Sequence, residues 1–257
     1  MKAIDTHAHL FKRYYKEELD NIIEKSLSEL EYVFNIGTDF SSLQEILNLN
    51  KKYPKLIPVL GLHPFDVNEL DELKGEILEK IILDNKETIK AIGEIGLDYS
   101  RIKKEEEKEI QKKWFIFQLE IANKFKLPVV IHGRDAYEDI YKIISKFPNL
   151  NYIIHSYTGN EKMFNNFLKF KNLIFSFNGI LTFKNAQEIK NYAKIIPLDK
   201  IIFETDCPYL TPVPFRGKTN YPFYLKYLML EFSKIRDLKM EELITISNSN
   251  AKKFYRI

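Results

Sequence analysis

Apolar residues follow two recurring patterns along this chain. Short, nearly unbroken apolar runs rich in β-branched residues occur at 2–10 (KAIDTHAHL), 32–38 (YVFNIGT), 56–64 (LIPVLGLHP) and 89–97 (IKAIGEIGL). They recur at 128–134 (PVVIHGR), 151–159 (NYIIHSYTG), 173–179 (LIFSFNG) and 200–206 (KIIFETD). Strands covered on both faces are continuously apolar rather than alternating, so these eight runs predict buried parallel strands. Between them apolar residues take helical spacing. Ile110, Trp114, Phe117, Ile121 and Phe125 are spaced to share one helix face, with Glu109 and Lys113 as an i,i+4 pair on the exposed side. Ser42 and Glu45 predict a capping box ahead of ILNL. Pro128 and Pro197 mark helix ends, and a closing helix is expected near 239–254.

Strand then helix, repeated eight times, predicts a closed barrel or a doubly wound sheet. The length of 257 residues suits a single (β/α)8 barrel of the TIM type, which is typically about 250 residues long. No Pro/Gly/Ser-rich linker and no low-complexity block interrupts the pattern, so one domain over 1–257 is expected. The Lys/Glu run at 103–109 reads as a solvated helix face.

Charge changes this picture little. Lys and Arg number 39 against 36 Asp and Glu, a net of +3. A global field this weak does not attract nucleic acid, so any affinity for phosphate must come from a local cluster. The single cysteine, Cys207, excludes an intrachain disulfide and suits a reducing compartment. Asp5, His7 and His9 stand where a secretory signal needs an apolar run, and no run reaches the roughly 18–20 apolar residues of a membrane span. A cytoplasmic protein without a membrane role is expected.

Candidate chemistry sits at the ends of the apolar runs. His7 and His9 end the first, His63 the third, His132 the fifth and His155 the sixth; Glu94 lies inside the fourth and Asp206 ends the eighth. Barrel enzymes carry their active sites at the C-terminal ends of strands. Each residue alone has a bland explanation. His-x-His places two imidazoles on one side of a strand, and a hydrogen-bonded structural pair would look the same. A buried carboxylate is costly unless paired or bound to a cation. No Lys or Arg lies within AIGEIG, which holds Glu94, or within IIFETDCP, which holds Asp206 with Glu204 two residues before it. Taken together, the seven point to a metal site. Four imidazoles and two carboxylates are too many for one four-coordinate ion and suit two divalent cations sharing a carboxylate, with Zn, Mn, Co or Mg all compatible with N/O donors. Cys207 should face away from its strand neighbour Asp206 and is not counted.

The residues IDTHAHL (4–10), GLHPFDV (61–67), AIGEIGLDY (91–99), PVVIHGRDA (128–136), HSYTGN (155–160), ETDCPYLTP (204–212) and RGKTNYP (216–222) resemble the TatD-type metal-dependent deoxyribonucleases of the amidohydrolase superfamily. The resemblance implies that His7, His9, Glu94 and Asp206 hold one metal and that Glu94, His132 and His155 hold the second. It also implies that Asp206 orients or deprotonates the attacking water, and that His63, Arg134, Arg216 and Lys218 face the substrate phosphate. Two departures stand out: Phe65 where the family often has a second His, and Ser156-Tyr157-Thr158-Gly159 where it often reads Cys-Phe-x-Gly.

The expected activity is therefore hydrolysis of phosphodiester bonds in single-stranded DNA from the 3′ end, with DNA as the substrate partner and no obligate protein partner. Two ions can lower the pKa of a bridging water and clamp a phosphoryl group. Arg216 and Lys218 supply cations for phosphate oxygens, although in isolation they would read as a solvated surface loop. Most aromatics must be core; Tyr99 and Tyr157 are the ones expected to stack on bases. One competing reading is an ester or amide hydrolase of the same superfamily, such as an aminoacyl-tRNA deacylase. Glu94 stands where a carbamylated-lysine amidohydrolase would carry its lysine. The other is a non-catalytic barrel that binds nucleic acid or metal, which full retention of the ligand set disfavours.

Overall fold

The computed structural model describes residues 1–67 and 71–257. The chain opens with β1 (Ile4–Ala8), α1 (Lys12–Tyr15) and α2 (Leu19–Glu29), then β2 (Tyr32–Ile36) and α3 (Phe40–Lys52). It continues through β3 (Leu56–Leu60), α4 (Glu72–Asp84), β4 (Ala91–Asp98) and α5 (Glu105–Phe125). Next come β5 (Val129–Arg134), α6 (Tyr137–Ile144), β6 (Tyr152–Ile154), α7 (Glu161–Leu168), β7 (Leu173–Phe177) and α8 (Gln187–Ile195). The last elements are β8 (Ile201–Phe203), α9 (Leu225–Arg236) and α10 (Met240–Tyr255). The sheet has eight strands in the order β1 to β8. This alternation and order are those of the (β/α)8 barrel. The strands are shorter than the apolar runs. The polar residue ending a run, such as His155 after β6 or Asp206 after β8, lies in the connecting loop.

The chain divides into two compact units, residues 1–35, 48–57 and 174–257, and residues 36–47 and 58–173. In the first unit, β1 runs parallel to β2 with Ile4 opposite Tyr32, and β7 parallel to β8 with Phe175 opposite Ile201. Its core is aromatic. The Phe232 ring of α9 meets Phe203 and Phe177 at 5.0 and 5.4 Å between centroids, and Tyr255 of α10 stacks on Phe34 at 3.8 Å. Each such buried ring contributes about 1.5–3 kcal/mol over its exposed state. Asn248 of α10 is buried because it caps the start of β1: its Oδ1 accepts from the Ile4 amide and its Nδ2 donates to the Lys2 carbonyl.

In the second unit, β3, β4, β5 and β6 run parallel. The structure corrects three local expectations here. The buried face of α5 is formed by Gln111, Trp114, Phe115, Gln118, Leu119, Ile121 and Ala122, whereas Ile110, Phe117 and Phe125 are half-buried. The face turns because two glutamines go inward to satisfy backbone. Gln118 bridges the Leu62 amide and carbonyl at 2.8 and 3.1 Å, and Gln111 bridges those of Asp98 at 2.9 and 3.1 Å. Glu109 pairs with Lys112 rather than Lys113. Helix α3 starts before the expected cap. Asp39 accepts from the Ser42 amide at 2.8 Å, and the Ser42 hydroxyl accepts from the Asp39 amide at 3.0 Å. Ser42 thus fills the third helical position of a capping box, not its first residue.

Candidate metal centre

In the first unit, the ladder of β1 runs past its last residue. The Asp206 amide donates to the His7 carbonyl at 2.9 Å and the His9 amide to the Cys207 carbonyl at 2.8 Å. This register sets Asp206 between the two histidines, and its φ of 55° turns the chain there, a left-handed conformation that Asp tolerates. The His7 and His9 Nε2 atoms lie 3.2 Å apart. Asp206 Oδ1 lies 3.7 Å from the first and 3.4 Å from the second. Donors bound tetrahedrally at about 2.0–2.2 Å stand about 3.3–3.6 Å from one another, so these three atoms have the spacing of one face of a coordination shell. A hydrogen-bonded histidine pair would explain the imidazoles but not the carboxylate near both. The donor set is nitrogen and oxygen with no thiolate, as divalent Zn, Mn or Mg accepts.

Further carboxylates support this set. Glu204 is buried; its Oε1 accepts from Asn178 Nδ2 at 3.2 Å, and its Oε2 lies 3.9 Å from His7 Nδ1. At that distance the Glu204 carboxylate faces the His7 ring without a hydrogen bond to it. Asp5 is fully buried and accepts from the Thr205 amide at 2.9 Å and from the Thr205 hydroxyl and His7 amide. Burial pushes the Asp5 carboxyl up to about 8 despite these bonds. The Cys207 thiol is buried near Tyr15 and Asp5, and burial pushes it up to about 12.

The second unit gathers histidines around Glu94. Its Oε1 lies 2.8 Å from His132 Nδ1, 3.0 Å from His155 Nε2 and 3.9 Å from His63 Nε2. Gly96 shapes this arrangement. It pairs with His132 across β4 and β5, has φ 146°, and a Cβ there would sit 2.0 Å from the His132 carbonyl oxygen. With no side chain at Gly96, the His132 ring lies between Glu94 and Asp98, its Nε2 2.9 Å from Asp98 Oδ2. Burial lowers the pKa of His132, but hydrogen bonds from its ring to Asp98 and Glu94 outweigh burial and raise it. Burial likewise pushes Asp98 up, and bonds from His132 and Ser100 overcome it, holding Asp98 at about 2.

His63 stands apart from its neighbours. The Phe65 amide donates to His63 Nδ1 at 3.1 Å, so the neutral ring carries its proton on Nε2, facing Glu94. A protonated nitrogen is a hydrogen-bond donor rather than a metal ligand. The His63 and His132 rings are 4.5 Å apart, and the two ring nitrogens and Glu94 lie within 4.8 Å of one another.

The structure brings the predicted donors together as His7, His9 and Asp206 in one unit and Glu94, His132 and His155, with His63, in the other. The predicted cations are less concentrated. Arg134 is exposed at the end of β5, and Arg216 and Lys218 are exposed in the loop after β8, the Arg216 guanidinium lying 3.8 Å over the Phe183 ring. Tyr157 is buried against Tyr137, Phe164 and Phe167 with its hydroxyl on the Asn160 carbonyl, so its face is not open to a base. Tyr99 lines a cavity of about 500 Å³ with Asp135, Glu138 and Asp139, an unfavourable setting for a polyanion. Asp98, Asp5 and Asn178 were not singled out from the sequence. For the two aspartates the signal was present: Asp98 is in phase with Glu94 on its strand, and Asp5 with His7.

Buried carboxylate–imidazole sets at the C-terminal ends of strands in a (β/α)8 fold define a metal-dependent hydrolase. Similarity to known proteins agrees. Residues 4–256 match the family of TatD related DNases. The uncharacterized metal-dependent hydrolase YabD of Bacillus subtilis is 36% identical over 256 residues, covering 98% of each chain. An uncharacterized metal-dependent hydrolase of Mycoplasma genitalium is 36% identical over 266 residues, covering 99% of each. Among solved structures, the TatD homolog YJJV of Escherichia coli superposes with a TM-score of 0.90 at 21% identity, over 99% of this chain and 98% of that one. The chain belongs to the TatD related DNase family.

Proposed function

We propose that the enzyme hydrolyses phosphodiester bonds of single-stranded DNA, working from the 3′ end and releasing mononucleotides. The whole chain acts as one domain. His7, His9, Glu94, His132, His155 and Asp206 would hold two divalent cations. The observation that carries this reading is the His7–His9–Asp206 donor face followed in the same loop by the exposed cation Arg216. Bound divalent cations supply charge stabilisation at a phosphoryl oxygen and make a water acidic enough to attack at neutral pH.

The chain's own residues do the rest. Asp206 accepts the proton of the attacking water at its carboxylate. His63 donates from Nε2 to a non-bridging phosphate oxygen, and Arg216 pairs with phosphate oxygens in bidentate fashion, with Lys218 and Arg134 as further cations. The water oxygen bonds to phosphorus as the bond to the 3′ oxygen breaks, and that oxygen takes up a proton. Asp98 holds the His132 ring in place. Among the described residues no helix is long and apolar enough to cross a membrane, and we assign the enzyme to the cytoplasm, where its one buried thiol stays reduced.

The test is hydrolysis of linear and circular single-stranded DNA by chelated protein and by protein with Zn, Mn or Mg restored. Metal-dependent release of mononucleotides from the linear strand alone is expected. Equal cleavage of circles rejects exonuclease action, and cleavage of aminoacyl-tRNA esters with intact DNA rejects the phosphodiesterase reading.

A further inference from the structure

Two tyrosines of the first unit, Tyr14 and Tyr209, stand beside the candidate metal ligands. Tyr209 follows Asp206 by three residues, its amide donates to the Asp206 carbonyl at 2.9 Å, and it is 48% exposed. Its hydroxyl donates to the Tyr14 hydroxyl at 2.8 Å, and the two rings meet edge to face at 5.8 Å and 74°. On its inner side Tyr209 meets the His9 ring at 6.2 Å. On the outer side the Arg13 guanidinium lies 5.0 Å over Phe11 and 5.1 Å over Tyr14. Two phenol rings are thus tied to each other beside the candidate metal ligands His9 and Asp206, with a cation over the ring of Tyr14.

Burial does not explain this arrangement, since the Tyr209 ring is half in water. The chemistry on offer is the exposed Tyr209 ring, braced edge to face by Tyr14, with a positive charge beside it. A small anion would use Arg13 and ignore the rings. A protein partner would seek a continuous apolar patch, whereas Lys12, Arg13 and Lys16 around Tyr14 are all exposed. A ligand that is flat at one end and anionic at the other is a nucleotide within a strand. Aromatic rings bordered by a guanidinium are how single strands are held without reading their sequence.

We propose that the Tyr209 ring, braced by Tyr14, is a stacking platform for the base next to the scissile phosphate, with Arg13 pairing to a neighbouring backbone phosphate. The platform deepens the phosphodiesterase reading above and rests on it. It binds any base, because every base has a π face. Its rings are held before the ligand arrives, which lowers the entropic cost of stacking.

The test uses the full chain, chelated so that no strand is cut, and fluorescence anisotropy with a 5′-labelled single-stranded oligothymidylate. A second probe has the same backbone with abasic residues. The parent is expected to bind the base-bearing strand more tightly. Tyr209→Ala and Tyr14→Ala should each weaken that binding roughly five- to 150-fold while binding the abasic strand as the parent does. Tyr209→Phe, which keeps the ring, should stay close to the parent. A structural role would instead weaken both strands together. Equal binding of the two strands by the parent, an unchanged affinity in Tyr209→Ala, or equal losses on both strands each overturn the platform. Metal-restored turnover of the parent is read separately. If the parent cleaves no DNA yet shows the base-dependent loss, the platform stands and the hydrolytic reading falls.

Discussion

Asp98 shows how much a site depends on residues that touch no ligand. It is buried, and its carboxylate holds the His132 ring from the side opposite Glu94. Asp98→Asn keeps the shape and removes the charge. Loss of such an outer partner costs about 10–100-fold in metal affinity or activity, and a metal titration of the folded variant should show it. An unchanged dissociation constant would mean that Asp98 serves only the fold. Cys207 is the contrasting case. With its thiol pushed up to about 12 by burial, it should label with a thiol reagent at least about a hundredfold more slowly in the native protein than in denaturant, because the thiolate is the reactive form. Fast native labelling would contradict the burial. The sequence made the candidate ligands visible because imidazoles and carboxylates are conspicuous in apolar runs. Asp5 stands in the first run and Asp98 directly follows the fourth, but their partners, Thr205 and His132, are set by pairing between strands and cannot be read from one run.

At the scale of elements, periodicity located α5 correctly and oriented it less well. Counting apolar residues assumes that polar ones face water, whereas Gln111 and Gln118 face inward because the ends of β4 and β3 present backbone groups there. Nothing in the local sequence states that demand. Gln118→Leu is the sharp test. A hydrophobicity count predicts that it stabilises the helix face. The structure predicts the opposite, since the Leu62 amide and carbonyl would be left in a buried setting without their partner. Each unsatisfied group costs about 1–3 kcal/mol, so about 2–6 kcal/mol of stability should be lost in urea unfolding. The α3 cap was likewise found one turn late, because Ser42 can serve as either the first or the fourth residue of a capping box and only Asp39's geometry decides between them.

For the whole molecule, the repeat of strand and helix identified the (β/α)8 fold, since eight continuous apolar runs separated by helical ones leave few alternatives. The division of labour between metal and phosphate is a separate matter, and two variants distinguish them. Glu94→Ala removes the carboxylate to which His132, His155 and His63 all turn. If it is also the group shared by two cations, its loss leaves their mutual repulsion uncompensated. At least one cation per chain should then be lost and turnover should fall by several orders of magnitude. Arg216→Ala touches no metal donor. On the proposed function it deletes one charged partner of the substrate phosphate, worth about 1.5–3 kcal/mol, or roughly a tenfold to 150-fold loss in kcat/KM. Metal content should be that of the parent. The loss falls on KM if the guanidinium grips substrate and transition state equally, and on kcat if it grips the transition state alone. Metal stoichiometry by elemental analysis, with kinetics on linear single-stranded DNA, reads both variants at once. A Glu94→Ala protein that keeps two cations and substantial turnover rejects the shared-carboxylate centre. An Arg216→Ala protein that cleaves DNA as the parent does leaves its contact with Phe183 as the only role for that side chain.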